Sequence, residues 1–206
     1  MFSKTITCLS FAAFLVLAGC GSSTTAGDGT IGGNPFVFVT KGTLTTATGG
    51  GVTGTGSLAL LNPVSLPNNS YRIMFAIADG GTLDFIANAA TGLTGAVTLR
   101  FTRAGTTLSV VGVTSGGTKD LSAAFAAGVD ASTTLTFQVD VHNDENPPHV
   151  KLWDAAVTTF TGATARLDTA NAGFVLATGQ GTGKIWGFAL TNATVTGAVP
   201  SAAHDD

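Results

Sequence analysis

Charge is the scarcest feature of this sequence: Asp, Glu, Lys and Arg together make up 10% of its 206 residues, against roughly 25% in an ordinary soluble domain. Solubility must come from hydroxyl groups rather than ionised ones. The formal net charge of −3 provides no basic stripe to neutralise phosphates, so no nucleic-acid partner is expected. Cysteine is nearly absent. Cys8 and Cys20 are the only two, and both fall in the first twenty residues. The rest of the chain therefore has no disulfide or thiol chemistry and must be held together by burial. Glu145 is the single glutamate, which excludes the paired-glutamate strand motif of sandwich-fold glycanases. No Gly-x-Ser-x-Gly elbow marks a serine nucleophile. Long hydrophobic runs are missing too, since the apolar stretch from Leu9 to Leu17 falls short of the roughly 20 residues that a membrane-spanning helix needs.

Glycine is plentiful, at 28 residues, and the mean hydropathy is +0.39. The length suits one sizeable core rather than two. At the N-terminus, Lys4 precedes the apolar run, and Leu17-Ala18-Gly19-Cys20 closes it. A cation, a short apolar segment and small residues in that order are the layout of an export signal over residues 1–19. The four closing residues resemble the lipobox of bacterial lipoproteins. That resemblance implies a diacylglyceryl group on the Cys20 sulfur, cleavage before Cys20 and acylation of the freed amine. Each buried acyl methylene contributes about 0.8 kcal/mol, so two or three chains hold a protein on a membrane. Gly21 follows the cysteine in place of an aspartate, and in a Gram-negative cell the family's sorting rule then favours the outer membrane.

Residues 21–34, GSSTTAGDGTIGGN, are small and lack aromatic anchors. With Cys20 they are expected to form a lipidated flexible tether over 20–34, with a reach of roughly 20 Å. The domain is expected over 35–200, followed by a polar tail over 201–206. Within the domain, short runs rich in β-branched and aromatic residues are separated by Gly, Asn, Asp and Pro clusters. The predicted strands are Phe36–Thr40, Leu58–Leu61, Tyr71–Ala78, Thr82–Ala87, Ala96–Arg103, Thr107–Thr114, Thr133–Val141, Val150–Trp153, Ala172–Thr178 and Lys184–Leu190. Hairpin turns are expected at Ala78-Asp79-Gly80-Gly81 and at Arg103-Ala104-Gly105. Leu121–Val129 reads as a short helix or turn. In Thr133–Val141, residues Leu135, Phe137, Val139 and Val141 share one dry face, and Thr134, Thr136, Gln138 and Asp140 share a wet one. The expected fold is all-β, a two-sheet antiparallel jelly-roll-type sandwich.

Three segments carry a further resemblance: Leu99 to Gly105, Gln138 to His142 and Gly183 to Leu190. Together they are similar to the charged hairpin, central strand and closing strand of concanavalin A-like or laminin-G-like domains. The resemblance implies a curved sandwich used for glycan or protein binding, sometimes with calcium.

Polar groups capable of chemistry gather in one place. Asp140, His142, Asp144, Glu145 and His149 fall within ten residues. Oxygen ligands from the acids suit calcium, and the two histidines with one carboxylate suit zinc. The same Asn-Asp-Glu-Asn-Pro-Pro stretch also reads as a solvated turn. Trp153, Trp186 and Tyr71 are candidates for stacking on sugar rings if exposed, and for core packing if not. Gly179 to Lys184 has a phosphate-loop flavour but lacks the hydroxyl at position 185 and reads as a hairpin. Three functions follow from these features. The first is a membrane-tethered binding or adhesion module for glycan or an envelope protein. The second is a metal-dependent hydrolase built on the 140–149 segment, and the third a structural component of the cell envelope.

Overall fold

A computed structural model of the chain describes residues 25–47, 49–61, 70–90, 93–114, 117–122, 129–154, 166–169 and 173–201. The signal segment, Cys20 and the last residues of the tail lie outside that set. So does most of the helix or turn expected over 121–129. The described residues form twelve strands and no α-helix. In chain order these are β1 (Thr25–Ile31), β2 (Asn34–Thr40), β3 (Thr45–Thr46), β4 (Val52–Leu60), β5 (Ser70–Ala89), β6 (Val97–Ala104), β7 (Thr107–Thr114), β8 (Gly117–Asp120), β9 (Leu135–His142), β10 (His149–Asp154), β11 (Arg166–Asp168) and β12 (Ile185–Ser201).

Every pairing is antiparallel, and hydrogen bonds join all twelve strands into one branched sheet. Its main path is β1-β2-β4-β12-β5-β6-β7-β8, and β9-β10-β11 forms a branch that also starts from β5.

The branch point comes from the length of two strands. β5 has 20 residues and β12 has 17, and they pair from Ser70↔Ser201 to Ala89↔Ile185. The Ala78-Asp79-Gly80-Gly81 segment, expected to reverse the chain, lies inside β5. Between the Ile77↔Ala193 and Thr82↔Thr191 pairs, four residues of β5 face Asn192 alone. The extra residues bulge out instead of turning the strand back. Gly80 takes a φ of 73° there, and a Cβ on Gly81 would sit 2.7 Å from the Asn192 carbonyl oxygen, so neither position suits another residue. The bulge is latched to the β6–β7 turn. Gly105 N–H donates to Asp79 Oδ1 at 2.7 Å, and Arg103 Nη1 donates to the Ile77 carbonyl at 2.9 Å. That β6–β7 turn is the second expected hairpin, and it forms as expected.

Before the bulge, Ser70–Phe75 pair with β9; after it, Thr82–Ala87 pair with β6. The two branches meet through their apolar faces. Phe101 of β6 stacks on Phe137 of β9 at 5.5 Å, and Phe75 of β5 touches both rings at 5.1 and 5.8 Å. Each ring is fully buried. Burying a side chain of this size contributes about 1.5–3 kcal/mol.

Several expected boundaries change. The tether expected over 20–34 gives way from Thr25 onward, because β1 pairs with β2 and Ile31 is buried in the core. The domain therefore starts before the expected residue 35. Ser201, assigned to the tail, pairs with Ser70 as the last residue of β12. Residues 173–178 are not a strand, so the glycine-rich 179–184 segment leads into β12 as a loop rather than joining two strands of a hairpin.

Candidate functional site

Strand alternation puts Phe137, Val139 and Val141 of β9 into the core and turns Gln138, Asp140 and His142 to the opposite face. The register carries that second face across three strands. Asp140 lies between Ser70 of β5 and Lys151 of β10, Gln138 lies between Arg72 and Trp153, and His142 is opposite His149. This is the face expected to be wet, yet it is covered. Gln138 and His142 are 0% exposed, Asp140 is 1% and Lys151 is 8%. Alternation correctly separates the apolar residues from the polar ones, but it does not report what lies over the polar side.

Burying such groups is costly unless they bond to one another. Ser70 Oγ–H donates to Asp140 Oδ1, and Gln138 Nε2 donates to Ser70 Oγ and, at 2.9 Å, to Asp140 Oδ1. Lys151 places a cation in register beside the Asp140 carboxylate, the charge balance that a buried acid requires.

At the end of this face the β9–β10 turn folds back over it. The Glu145 carboxylate, 40% exposed, sits with Oε1 2.7 Å from His142 Nδ1 and Oε2 3.6 Å from His149 Nε2, and Lys151 Nζ lies 3.9 Å from Oε1. The imidazoles of His142 and His149 are nearly parallel, 12° apart with centroids at 5.2 Å. A carbonyl can only accept, so His149 Nδ1–H donates to the Pro147 oxygen at 2.7 Å. The turn is also tied to the loop before β12. Asn143 Nδ2 donates to the Gly181 carbonyl at 2.5 Å, and Leu176 N–H donates to the Pro148 carbonyl at 2.7 Å.

Of the five residues expected to bind calcium or zinc, the structure brings together His142, Glu145 and His149. Asp140 is engaged one row away with Ser70 and Gln138, and Asp144 is exposed on the turn. Among the described residues, no three His, Cys, Asp or Glu side chains are placed to hold one metal ion. Lys151, absent from the expected set, brings a positive charge to the carboxylate where a metal cage would need room for a cation. The three that come together with Lys151 form a polar cluster of two histidines, a carboxylate and an ammonium. Lys151 and Gln138 were legible in principle: Gln138 has the alternation parity of Asp140 and His142, and Lys151 has that of His149.

The three aromatic candidates for sugar stacking are all buried. Trp186 packs on Tyr71 at 4.9 Å and on Phe85 at 6.5 Å, inside the core. Tyr71 donates its hydroxyl to Asn88 Oδ1. Burial raises the Tyr71 pKa well above its ordinary value, and a hydrogen bond with the Asn88 backbone lowers it by less. Trp153 is 2% exposed and lies on the covered polar face beside Gln138. None of the three presents a ring to solvent for a sugar.

An open groove of about 460 Å³ lies elsewhere, at the β5 bulge. Thr53, Asn192 and Thr194 line it with polar groups, and Ala76, Ile77 and Ala78 with apolar ones. The hydroxyls of Thr53 and Thr194 are 2.7 Å apart across the β4–β12 pair. Its volume falls within the roughly 300–1,000 Å³ typical of small-ligand sites.

The chain is thus an all-β protein built on a branched antiparallel sheet. No known family model matches it, and no curated protein matches it significantly.

Proposed function

We propose that this chain is a lipid-anchored protein of the cell envelope, exported to the outer face of a membrane, where it acts as a binding or adhesion module for a glycan or an envelope protein. The observation that carries the reading is Leu17-Ala18-Gly19-Cys20 at the end of a short apolar run behind Lys4, the arrangement in which a lipobox cysteine receives its acyl chains. The groove at the β5 bulge supports the binding half of the proposal, because hydroxyl and amide groups beside small apolar ones suit a neutral polar ligand. The finer architecture belongs to the same proposal: the contact of Phe101 with Phe137 supports reading the two branches as the facing layers of a jelly-roll-type sandwich.

The anchor is tested by producing the full chain in a bacterium that processes lipoproteins. The expected outcome is a mature N-terminal peptide that starts at Cys20 and carries diacylglyceryl and acyl mass, with the protein in the membrane fraction. Cys20→Ala should shift it to the soluble fraction, since a chain without acyl groups loses the burial that holds it there. Firm membrane attachment of Cys20→Ala would overturn the proposal.

A further inference from the structure

We propose that the groove at the β5 bulge is a subsite for the acetamido group of an N-acetylated sugar, an assignment that rests on the binding reading above and narrows its ligand. Two irregularities of the sheet coincide there. On one side of β12, four residues of β5 face Asn192 alone; on the other, Thr191 and Asn192 together face Thr55, between the Leu190↔Gly56 and Ala193↔Gly54 pairs. Bulges against both neighbours at one point crease the sheet across β4, β12 and β5, and the groove of about 460 Å³ lies in that crease. Asn192 lines it with a φ of 50°, a left-handed backbone that costs free energy for a residue with a Cβ and that Asn tolerates better than most.

Hydrogen bonding inside the crease leaves one donor group and one acceptor group to a ligand. Asn192 N–H donates to Thr55 Oγ1 at 3.1 Å, and the Thr55 hydroxyl donates its own hydrogen to Asn192 Oδ1 at 3.4 Å. This exchange orients the amide, and Asn192 Nδ2 keeps both N–H groups without a protein acceptor among the described residues. The Thr53 hydroxyl donates to the Ala193 carbonyl at 3.5 Å, so in the 2.7 Å contact between Thr53 and Thr194 the donor is Thr194. Thr194 Oγ1 then offers its lone pairs to the groove. No lining residue is charged or aromatic, which excludes recognition by ion pairing or by ring stacking. The rest of the lining is small and apolar: Gly54, Ala76, Ile77 and Ala78.

A secondary acetamide matches this set group by group. Its carbonyl accepts from Asn192 Nδ2, its N–H donates to Thr194 Oγ1, and its methyl rests on the alanines. A plain hydroxyl can use the two polar groups but leaves the apolar lining bare, and a carboxylate or an ammonium meets no opposite charge. The same outer face of the sheet continues beyond the groove. Met74 follows Ala76 outward on β5, lies opposite Gly197 and is 39% exposed, and Val199 next to it on β12 is 45% exposed. With no side chain on Gly197, where a Cβ would lie 3.0 Å from the Met74 Cβ, the apolar surface of Met74 stays open to the C–H face of a sugar ring. The subsite thus suits an acetamido sugar that is part of a longer chain.

The experiment is ligand-observed saturation-transfer NMR of the full chain titrated with N-acetylglucosamine and, separately, with glucose. N-acetylglucosamine should bind with a Kd on the order of 1 mM, as expected for a single sugar, and glucose about tenfold more weakly, the scale of one lost polar contact. Asn192→Asp keeps the shape and the left-handed backbone but supplies no donor, and it should weaken N-acetylglucosamine about tenfold. Asn192→Gly relieves the backbone while removing the amide, so it should stay folded and show the same loss. Equal affinity for the two sugars, or unchanged affinity in either folded Asn192 variant, overturns the proposal. A chain that ignores N-acetylglucosamine yet cosediments with purified envelope polysaccharide, equally in Asn192→Asp, overturns the groove assignment and leaves the binding reading standing. Failure to bind either one overturns the groove and the glycan reading together, and membrane attachment through Cys20 is decided separately by Cys20→Ala.

Discussion

Alkali should unfold this protein through one identifiable group. Tyr71 is the only tyrosine in the chain. Its ring is fully buried between Trp186, at 4.9 Å, and Phe85, at 5.3 Å, and its hydroxyl donates to Asn88 Oδ1. Burial holds its pKa above the ordinary tyrosine value, so the folded protein keeps the phenolic proton at a pH where the unfolded chain has lost it. The stability contributed by Tyr71 is complete below about pH 10 and declines above it, by about 1.4 kcal/mol for each pH unit until the folded phenol itself ionises. At about pH 11.5 the loss reaches roughly 2 kcal/mol, a substantial part of the 5–15 kcal/mol that stabilises a typical domain. Two signals recorded together provide the assay: near-ultraviolet absorbance of the tyrosinate and fluorescence of the two buried tryptophans. Tyrosinate should appear only as the tryptophans become exposed, in one transition. Tyr71→Phe should lose this component of the alkaline destabilisation. At neutral pH it should cost about 1–3 kcal/mol, because Asn88 Nδ2 already lacks a partner among the described residues and Oδ1 would then lose its own. Reversible ionisation near pH 10 with native tryptophan fluorescence would refute the reasoning.

Two further perturbations test the packing and the acid side. Phe137→Ala removes the β9 ring that stacks on Phe101 and Phe75. Denaturant unfolding should show a loss of about 3–5 kcal/mol, and a loss below about 1 kcal/mol would mean the branches are not held together there. Asp130 is held below the usual carboxylate range, first by the Ser132 side chain and then by its backbone N–H. A carboxylate depressed in the folded state contributes stability above its unfolded pKa, and that contribution is lost as the pH falls through the folded value. Ser132→Ala should therefore make acid unfolding begin at slightly higher pH, and an unchanged acid transition would count against the turn's role.

Much of the fold was legible because burial writes a period into the chain. Leu135, Phe137, Val139 and Val141 repeat every second residue, as do Trp186, Phe188 and Leu190, and all seven are core residues. The errors arose where one local signal has two structural solutions. Asp79-Gly80-Gly81 supplies the positive φ that a hairpin needs, but a wide bulge needs it equally. The outcome was decided by β12, a partner more than a hundred residues away, long enough to pair with both halves of β5. The same limit applies to residues 25–31. Small residues without an aromatic read as a tether, yet an edge strand needs only backbone groups that can pair and one apolar anchor, here Ile31.

The candidate site was half legible for a related reason. Sequence proximity found His142, Glu145 and His149, because a turn between two antiparallel strands returns the chain on itself. It mis-sorted the rest, because parity shows which residues share a face without showing whether water reaches that face. Its alternation puts Asp140 on a wet face, yet it is 1% exposed and engaged by Ser70, a residue seventy positions earlier. The scarcity of charge adds to this conclusion. In a chain with so few ionised groups, Asp140 and Lys151 lie in register on a covered face, and Glu145 lies within 4 Å of Lys151 and two histidines. Burial of such groups is unfavourable unless each finds an opposite charge or a donor. A low charge count therefore does not mean a neutral interior; here several of the few charges are placed where they hold the β9–β10 face and its turn in register.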